Sequence, residues 1–209
     1  MSELQARTGP QPAAVTFVTT EHFALQSARS STIAESVGRA TMFLASVSGG
    51  LVALGLIATA ARVGTAFYAF GLVLLPTLSV VGLVTFERTL QSGIEDYGYA
   101  SRIVRLRAYY LDSAPEVAPY LARVTPDERL ASREPRRGGR YWFRTVASMI
   151  ALITAVLAGS TAGLACAAAS SSLAAALTSG IAAGLALLAL LMRYQGAAWH
   201  LAVQAATAE

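Results

Sequence analysis

The chain of 209 residues is 55% hydrophobic and only 13% charged, with a mean hydropathy of +0.52, whereas soluble domains run near 25% charged. Cys166 is the single cysteine, and His22 and His200 are the two histidines. That inventory excludes a disulfide scaffold and a zinc module, and the apolar content excludes a disordered chain. The twelve acids and sixteen basic residues, all arginine, leave positions 40–61, 63–86 and the 48 residues 145–192 free of charge.

Residues 1–19 contain Gly9, Pro10 and Pro12 and no apolar core of a secretory signal, so they read as a flexible N-terminal tail without a cleaved leader. A short helical piece is expected over 20–30. Thr32-Ile33-Ala34-Glu35 has capping-box spacing, which predicts a helix start that runs without a proline into the first apolar run. A hydrocarbon core of about 30 Å needs about 20 helical residues. The first two charge-free runs therefore fit one span each, near 42–60 and 64–86. As one helix the third would be ~72 Å long, so it must fold back once, and Ser170-Ser171-Ser172 is the expected reversal between spans at 145–167 and 173–192. Helices are preferred to strands because lipid offers backbone amides no partner and the Ala/Leu/Gly composition lacks a barrel's alternation.

Arginine sets the expected orientation. Arg62 stands alone between the first two spans, and the other fifteen fall in the N-terminal segment, the central segment from Arg88 to Arg144, and at Arg193. An even number of spans puts these on one side, which the positive-inside rule makes cytoplasmic. Tyr141, Trp142, Tyr194 and Trp199 are aromatic anchors for that interface, with Phe67 and Tyr68 at the opposite one. The fold expected is all-α: four transmembrane helices as two hairpins in the plasma membrane, both termini cytoplasmic, with a long cytoplasmic helical extension between them. The corresponding organisation is a tail at 1–19, a cytoplasmic helix with the first hairpin and stalk at 20–111, a Pro/Arg-rich linker at 112–144, a second hairpin at 145–193 and a short C-terminal segment at 194–209.

Beyond the second span, Leu90, Ile94, Tyr97, Ser101, Val104, Ala108 and Leu111 recur at four and three, which predicts a stalk helix roughly 25 residues long with one packing stripe. The stripe is expected to pack on the N-terminal helix of the same chain, with an intermolecular coiled coil as the alternative. Pro115, Pro119, Pro126 and Pro135 then break the regularity. Arg136, Arg137, Arg140 and Arg144 would favour anionic lipid by about 1 kcal/mol each at the surface. Asp127, Glu128 and Glu134 dilute the same patch, so nucleic acid is not expected as a partner.

The stretch Leu25-Gln26-Ser27-Ala28-Arg29-Ser30-Ser31-Thr32-Ile33-Ala34-Glu35, then Gly38-Arg39-Ala40, Gln91-Ser92-Gly93-Ile94-Glu95-Asp96-Tyr97, Tyr99-Ala100 and Arg107-Ala108-Tyr109-Tyr110 resemble an uncharacterised family of bacterial multi-pass integral membrane proteins common in actinobacteria. Absence of Lys and Asn agrees with a high-GC source. The resemblance covers roughly residues 20–111 and implies no catalytic, cofactor-binding or metal-binding residue. In layout alone the chain is similar to two-span membrane effectors of nucleotide-signalling defence systems, from which it departs by its second hairpin.

No Asp, Glu, Lys, Arg or His falls within a predicted span. A proton relay, an intramembrane hydrolase or a metalloprotease needs such groups at depth, so no enzyme activity, cofactor or metal is expected there. Cys166 reads as a small buried apolar residue, and His22 with Glu21 or Glu35 is too thin a set for surface catalysis. Small residues do form ridges: Ala151, Ala155, Gly159, Gly163 and Ala167; Ser172, Ala176, Gly180 and Gly184; and, more briefly, Ala45, Gly49 and Ala53. Such ridges let helices approach closely, within one chain by default and between copies as the alternative. Pro76 predicts a bend near 70–76. The function expected is a non-enzymatic scaffold or interaction protein acting through its cytoplasmic helices. The alternative is an oligomeric pore gated by them, lined by Ser46, Ser48, Thr77 and Ser79.

Overall fold

The computed structural model describes residues 12–60, 63–113, 145–170 and 172–208, with Pro115 and Pro119. They form helices α1 (Pro12–Ala60), α2 (Thr65–Ser113), α3 (Val146–Ala169) and α4 (Leu173–Ala208), and no strand. All four are long and apolar enough to cross a membrane. The expected arginine cluster Arg136, Arg137, Arg140 and Arg144, the anchors Tyr141 and Trp142, Arg62, Pro126, Pro135 and Ser171 lie outside the described residues.

Successive helices pack antiparallel. Between α1 and α2, Phe43 meets Gly82, Gly50 meets Leu74 and Leu78, and Leu54 meets Gly71, so each advance along α1 is a retreat along α2. Between α2 and α3 the same order runs from Gly71 against Leu164 to Gly82 against Thr154. Between α3 and α4 a Cβ at Gly159 would come within 2.6 Å of the Gly180 carbonyl oxygen and 3.1 Å of the Gly184 Cα. One at Gly163 would lie 3.0 Å from the Ala176 carbonyl. The two predicted ridges therefore interlock backbone to backbone, where dispersion is gained without side chains in between. The core joins Phe43 and Val47 of α1, Leu75 and Phe86 of α2, and Ile150 and Leu157 of α3.

The helices differ in length, and the excess is all at one end. At about 1.5 Å per residue, α3 is ~36 Å long, close to one bilayer thickness, while α1 and α2 reach ~74 Å and α4 ~54 Å. The overhangs are residues 12–39 of α1, 87–113 of α2 and 193–208 of α4. They touch one another: Arg29 pairs with Asp96, Tyr110 donates to the Val18 carbonyl at 3.1 Å, and Trp199 packs edge-on against Tyr97 with ring centroids 5.8 Å apart. A three-helix extension thus continues the four-helix section.

Several local expectations are corrected. The helix does not start at Thr32: α1 is unbroken from Pro12, whose fixed φ suits a first turn. Thr32 Oγ1 donates to the Ala28 carbonyl, and Glu35 accepts from Arg39, so both members of the supposed capping box are spent on mid-helix contacts. The tail at 1–19 accordingly yields 12–19 to helix. The segment 194–209 is not a short appendage, because α4 stays helical through Ala208. In the stalk Leu90 is buried as expected, but further on Ala100 and Ile103 are buried while Ala108 and Leu111 are exposed. In the extension α2 packs on α1 at Asp96 and on α4 at Tyr97, so a single stripe does not describe its buried residues. The Ala45–Gly49–Ala53 ridge makes no close contact within the chain, since Gly49 is exposed and nothing lies within 4 Å of its Cβ position. Ser170 ends α3, its N–H bonded to the Cys166 carbonyl, where the reversal was expected.

These contacts separate two kinds of glycine. Gly159→Ala drives a methyl into the α4 backbone and should destabilise the bundle by about 1–3 kcal/mol. Gly49→Ala meets open space and should be neutral or stabilising by up to about 1 kcal/mol. Reversible unfolding of the two variants in detergent micelles checks the contrast.

Candidate functional site

The polar groups gather where the charge-free section meets the extension. Glu87 directly follows the charge-free run of α2, and Tyr194 follows Arg193 on α4; the Tyr194 hydroxyl donates to Glu87 Oε1 at 3.1 Å. Phe86, one residue earlier, lies against the Tyr194 ring. At the same level, fully buried Gln195 donates through Nε2 to Thr145 Oγ1 and Ser148 Oγ, each at 3.1 Å. Thr145 is also the α3 N-cap, so one amide ties the start of α3 to α4 and joins the hydrogen-bonded Thr145–Ser148 hydroxyl pair. The Glu87 hydrogen bond and charge, in that order, push the Tyr194 phenol above its usual range, and burial does the same to Tyr97.

Inside the extension, Arg29 and Asp96 form the deepest ion pair among the described residues. Nε lies 2.7 Å from Oδ1 and Nη2 3.5 Å from Oδ2, with side-chain exposures of 10% and 26%. Asp96 meets α1, while the next residue, Tyr97 of the predicted stripe, meets Trp199 of α4. The His22 ring stands edge-on to Tyr110 at 6.0 Å, so Glu21 and Glu35, both exposed, gather no catalytic set around it. Among the described residues no cluster of three His, Cys, Asp or Glu is placed to hold a metal. Outside this packed seam, α1 exposes Phe17 (74%), Phe23 (69%), Ile33 and Val37.

The hydroxyls nominated for a pore differ in burial and each of the three with a described bond turns back to its own helix. Ser79 is buried and donates to the Leu75 carbonyl, whereas Ser46 and Thr77 are exposed and donate to Met42 and Val73. Ser48 is exposed as well. Cys166 is half-buried with Ser170 Oγ 3.7 Å from its sulfur. An apolar recess of about 640 Å³ lies at the other end of the charge-free section between α2 and α4, with Phe67 and Leu75 on one side and Ile181 and Leu185 on the other. Sequence reasoning missed it because its walls come from segments more than a hundred residues apart.

Asp96→Ala removes the counter-charge of a buried guanidinium and should cost about 1–3 kcal/mol, less than a fully buried pair because Asp96 is partly solvated. Glu35→Ala, at an exposed i,i+4 pair, should cost no more than about 0.5 kcal/mol. The double exchange Arg29→Asp with Asp96→Arg should recover part of the first loss in thermal unfolding. A raised phenol favours the folded state below the unfolded tyrosine value near 10 and loses that advantage as pH climbs through the folded value. The alkaline absorbance difference between the protein and Tyr194→Phe should therefore place Tyr194 above an ordinary tyrosine, and Glu87→Gln should bring it down.

Comparison with family models, curated proteins and solved structures finds no match, so the function is read from this geometry.

Proposed function

We propose that the protein is a multi-pass integral plasma-membrane protein with four spans in two hairpins and both termini cytoplasmic, acting as a non-enzymatic scaffold through its three-helix extension. The observation that carries this reading is the exposed phenylalanine pair on α1. Phe23 stands sixteen residues before Arg39, or ~24 Å beyond the last charge-free turn, on the side that carries the arginines. Phe17 stands farther still, and with Phe23 it remains exposed although the opposite face of α1 is packed on α2. Large apolar side chains grouped at such a distance from lipid mark a surface that another protein covers. Ile33 and Val37 continue it toward the bilayer.

The placement in the membrane is supported by lengths and ends. Each helix has about one bilayer thickness of charge-free residues, those sections lie side by side, and every overhang emerges at the arginine-rich end, which the positive-inside rule assigns to the cytoplasm. Arg136, Arg137, Arg140 and Arg144 are proposed to engage anionic lipid on that side. No group in the apolar section suits proton or metal chemistry.

The test is the oligomeric state and bound partners of the full chain extracted in native-lipid particles, compared with Phe17→Asp/Phe23→Asp. Self-association or partner retention that the double variant loses, while remaining inserted, supports the scaffold. A monomer that retains lipid alone overturns it. Conductance of the reconstituted protein in planar bilayers would instead favour a gated pore.

A further inference from the structure

We propose that the outward face of α1 seats a second copy of this chain, the two α1 helices lying parallel in a symmetric pair. The inference deepens the scaffold reading, on which it rests, by naming the partner. Within the chain α1 packs on α2 and meets α3 only at its margin. One side of this 49-residue helix therefore has nothing of the same chain against it. At about 100° per residue, Ser27, Ser31, Ala34, Ala45 and Gly49 fall in one narrow strip opposite the buried Phe43 and Val47, and all five are exposed. Phe23 and Val37 flank the strip on one side and Met42 on the other, each of them exposed as well.

Continuity, charge and area select the occupant. The strip crosses the level of Arg39 without a break: Ser27, Ser31 and Ala34 lie in the extension, Ala45 and Gly49 in the charge-free section. Lipid does not reach the first part, and a soluble protein does not reach the second. A second molecule inserted in the same orientation presents the same two parts at the same heights. In a symmetric pair each residue near the axis approaches its own counterpart, so a charge on the strip would meet a like charge. All four charged residues of α1 lie off it, with Arg29 turned to Asp96 and Glu35 bonded to Arg39. From Phe17 to Leu56 the face is ~60 Å long and about one helix diameter wide, roughly 600 Å² from each copy and about 1,200 Å² in all, the lower end of stable interfaces. Gly38 and Gly49 agree with a close neighbour: nothing of the chain lies within 4 Å of either Cβ position, so internal packing does not call for glycine there, although glycine weakens a helix.

The test is disulfide crosslinking of the full chain in the membranes of expressing cells, on a Cys166→Ala background. Ala34→Cys in the extension and Ala45→Cys in the charge-free section should both form dimers. Val80→Cys, exposed on α2, should give about a tenth of their yield or less. Gly49→Leu enters open space in the single chain, so it should leave thermal unfolding in micelles unchanged while lowering the Ala45→Cys yield about tenfold or more. Yields at Ala34→Cys and Ala45→Cys no higher than at Val80→Cys overturn the pair, as does an Ala45→Cys yield indifferent to Gly49→Leu. Retention of a different protein that Phe17→Asp/Phe23→Asp abolishes, with no crosslink at either position, overturns the pair and keeps the scaffold reading. Absence of both crosslink and retained protein overturns both.

Discussion

Charge is costly in hydrocarbon, and a backbone amide there must find its partner within the protein. One level across the bundle shows what those two costs impose. Between the Phe43–Gly82 and Arg29–Asp96 contacts, Arg39 on α1 comes opposite the Phe86–Glu87 turn of α2. Glu87 is bonded to Tyr194 of α4, and the next residue, Gln195, is bonded to the N-cap of α3. Among the described residues the charged side chains of α1, α2 and α4 thus stop at one plane, on the other side of which none carries a charge.

The plane divides two ways of packing. In the proposed membrane placement lipid matches the hydrophobic attraction between helices, so small residues that let backbones meet add contacts that lipid cannot supply. Gly159, Gly163, Gly180 and Gly184 hold α3 to α4 in this way, and Gly71 and Gly82 give α2 room against Leu164 and Thr154. On the other side the three overhanging helices use larger and more polar contacts: an ion pair, the Tyr110–Val18 hydrogen bond and the Tyr97–Trp199 ring pair. The interlocked ridges also explain the recess. Tight seating of α4 on α3 pulls it away from α2 wherever Tyr194 and Trp199 do not bridge them.

The surface on which the functional readings rest follows from a helix whose contacts use one face. In α1 the face bearing Leu25, Arg29, Phe43 and Val47 is buried, while Phe17 and Phe23 and, deeper, Gly49 look outward. The outward aromatic residues are the surface on which the proposed scaffold would hold its partner. That role requires no titratable group in the apolar section.

Composition and spacing alone determined the all-α class, the number of apolar segments, their approximate limits, the reversal at Ser170 and the ridges on α3 and α4. Each follows from properties that act along one helix: the length that spans hydrocarbon, the absence of charge over that length, and residue size at every fourth position. What the tertiary structure alone decided involves more than one helix. The sequence offered Thr32 and Glu35 as a helix start, but a competing i−4 hydrogen bond and an ion pair with Arg39 absorb them. The stalk stripe pointed to Ser101 and Val104, yet Ala100 and Ile103 are the buried residues there, because α2 is shared between α1 and α4. Three short-range ridges looked alike, and only two find a neighbouring backbone. The pairing of Arg29 with Asp96, the third overhanging helix from α4 and the recess all depend on where separate helices come to lie. Spacing along one chain segment carries no record of that position, because it is set by how all the seams pack at once.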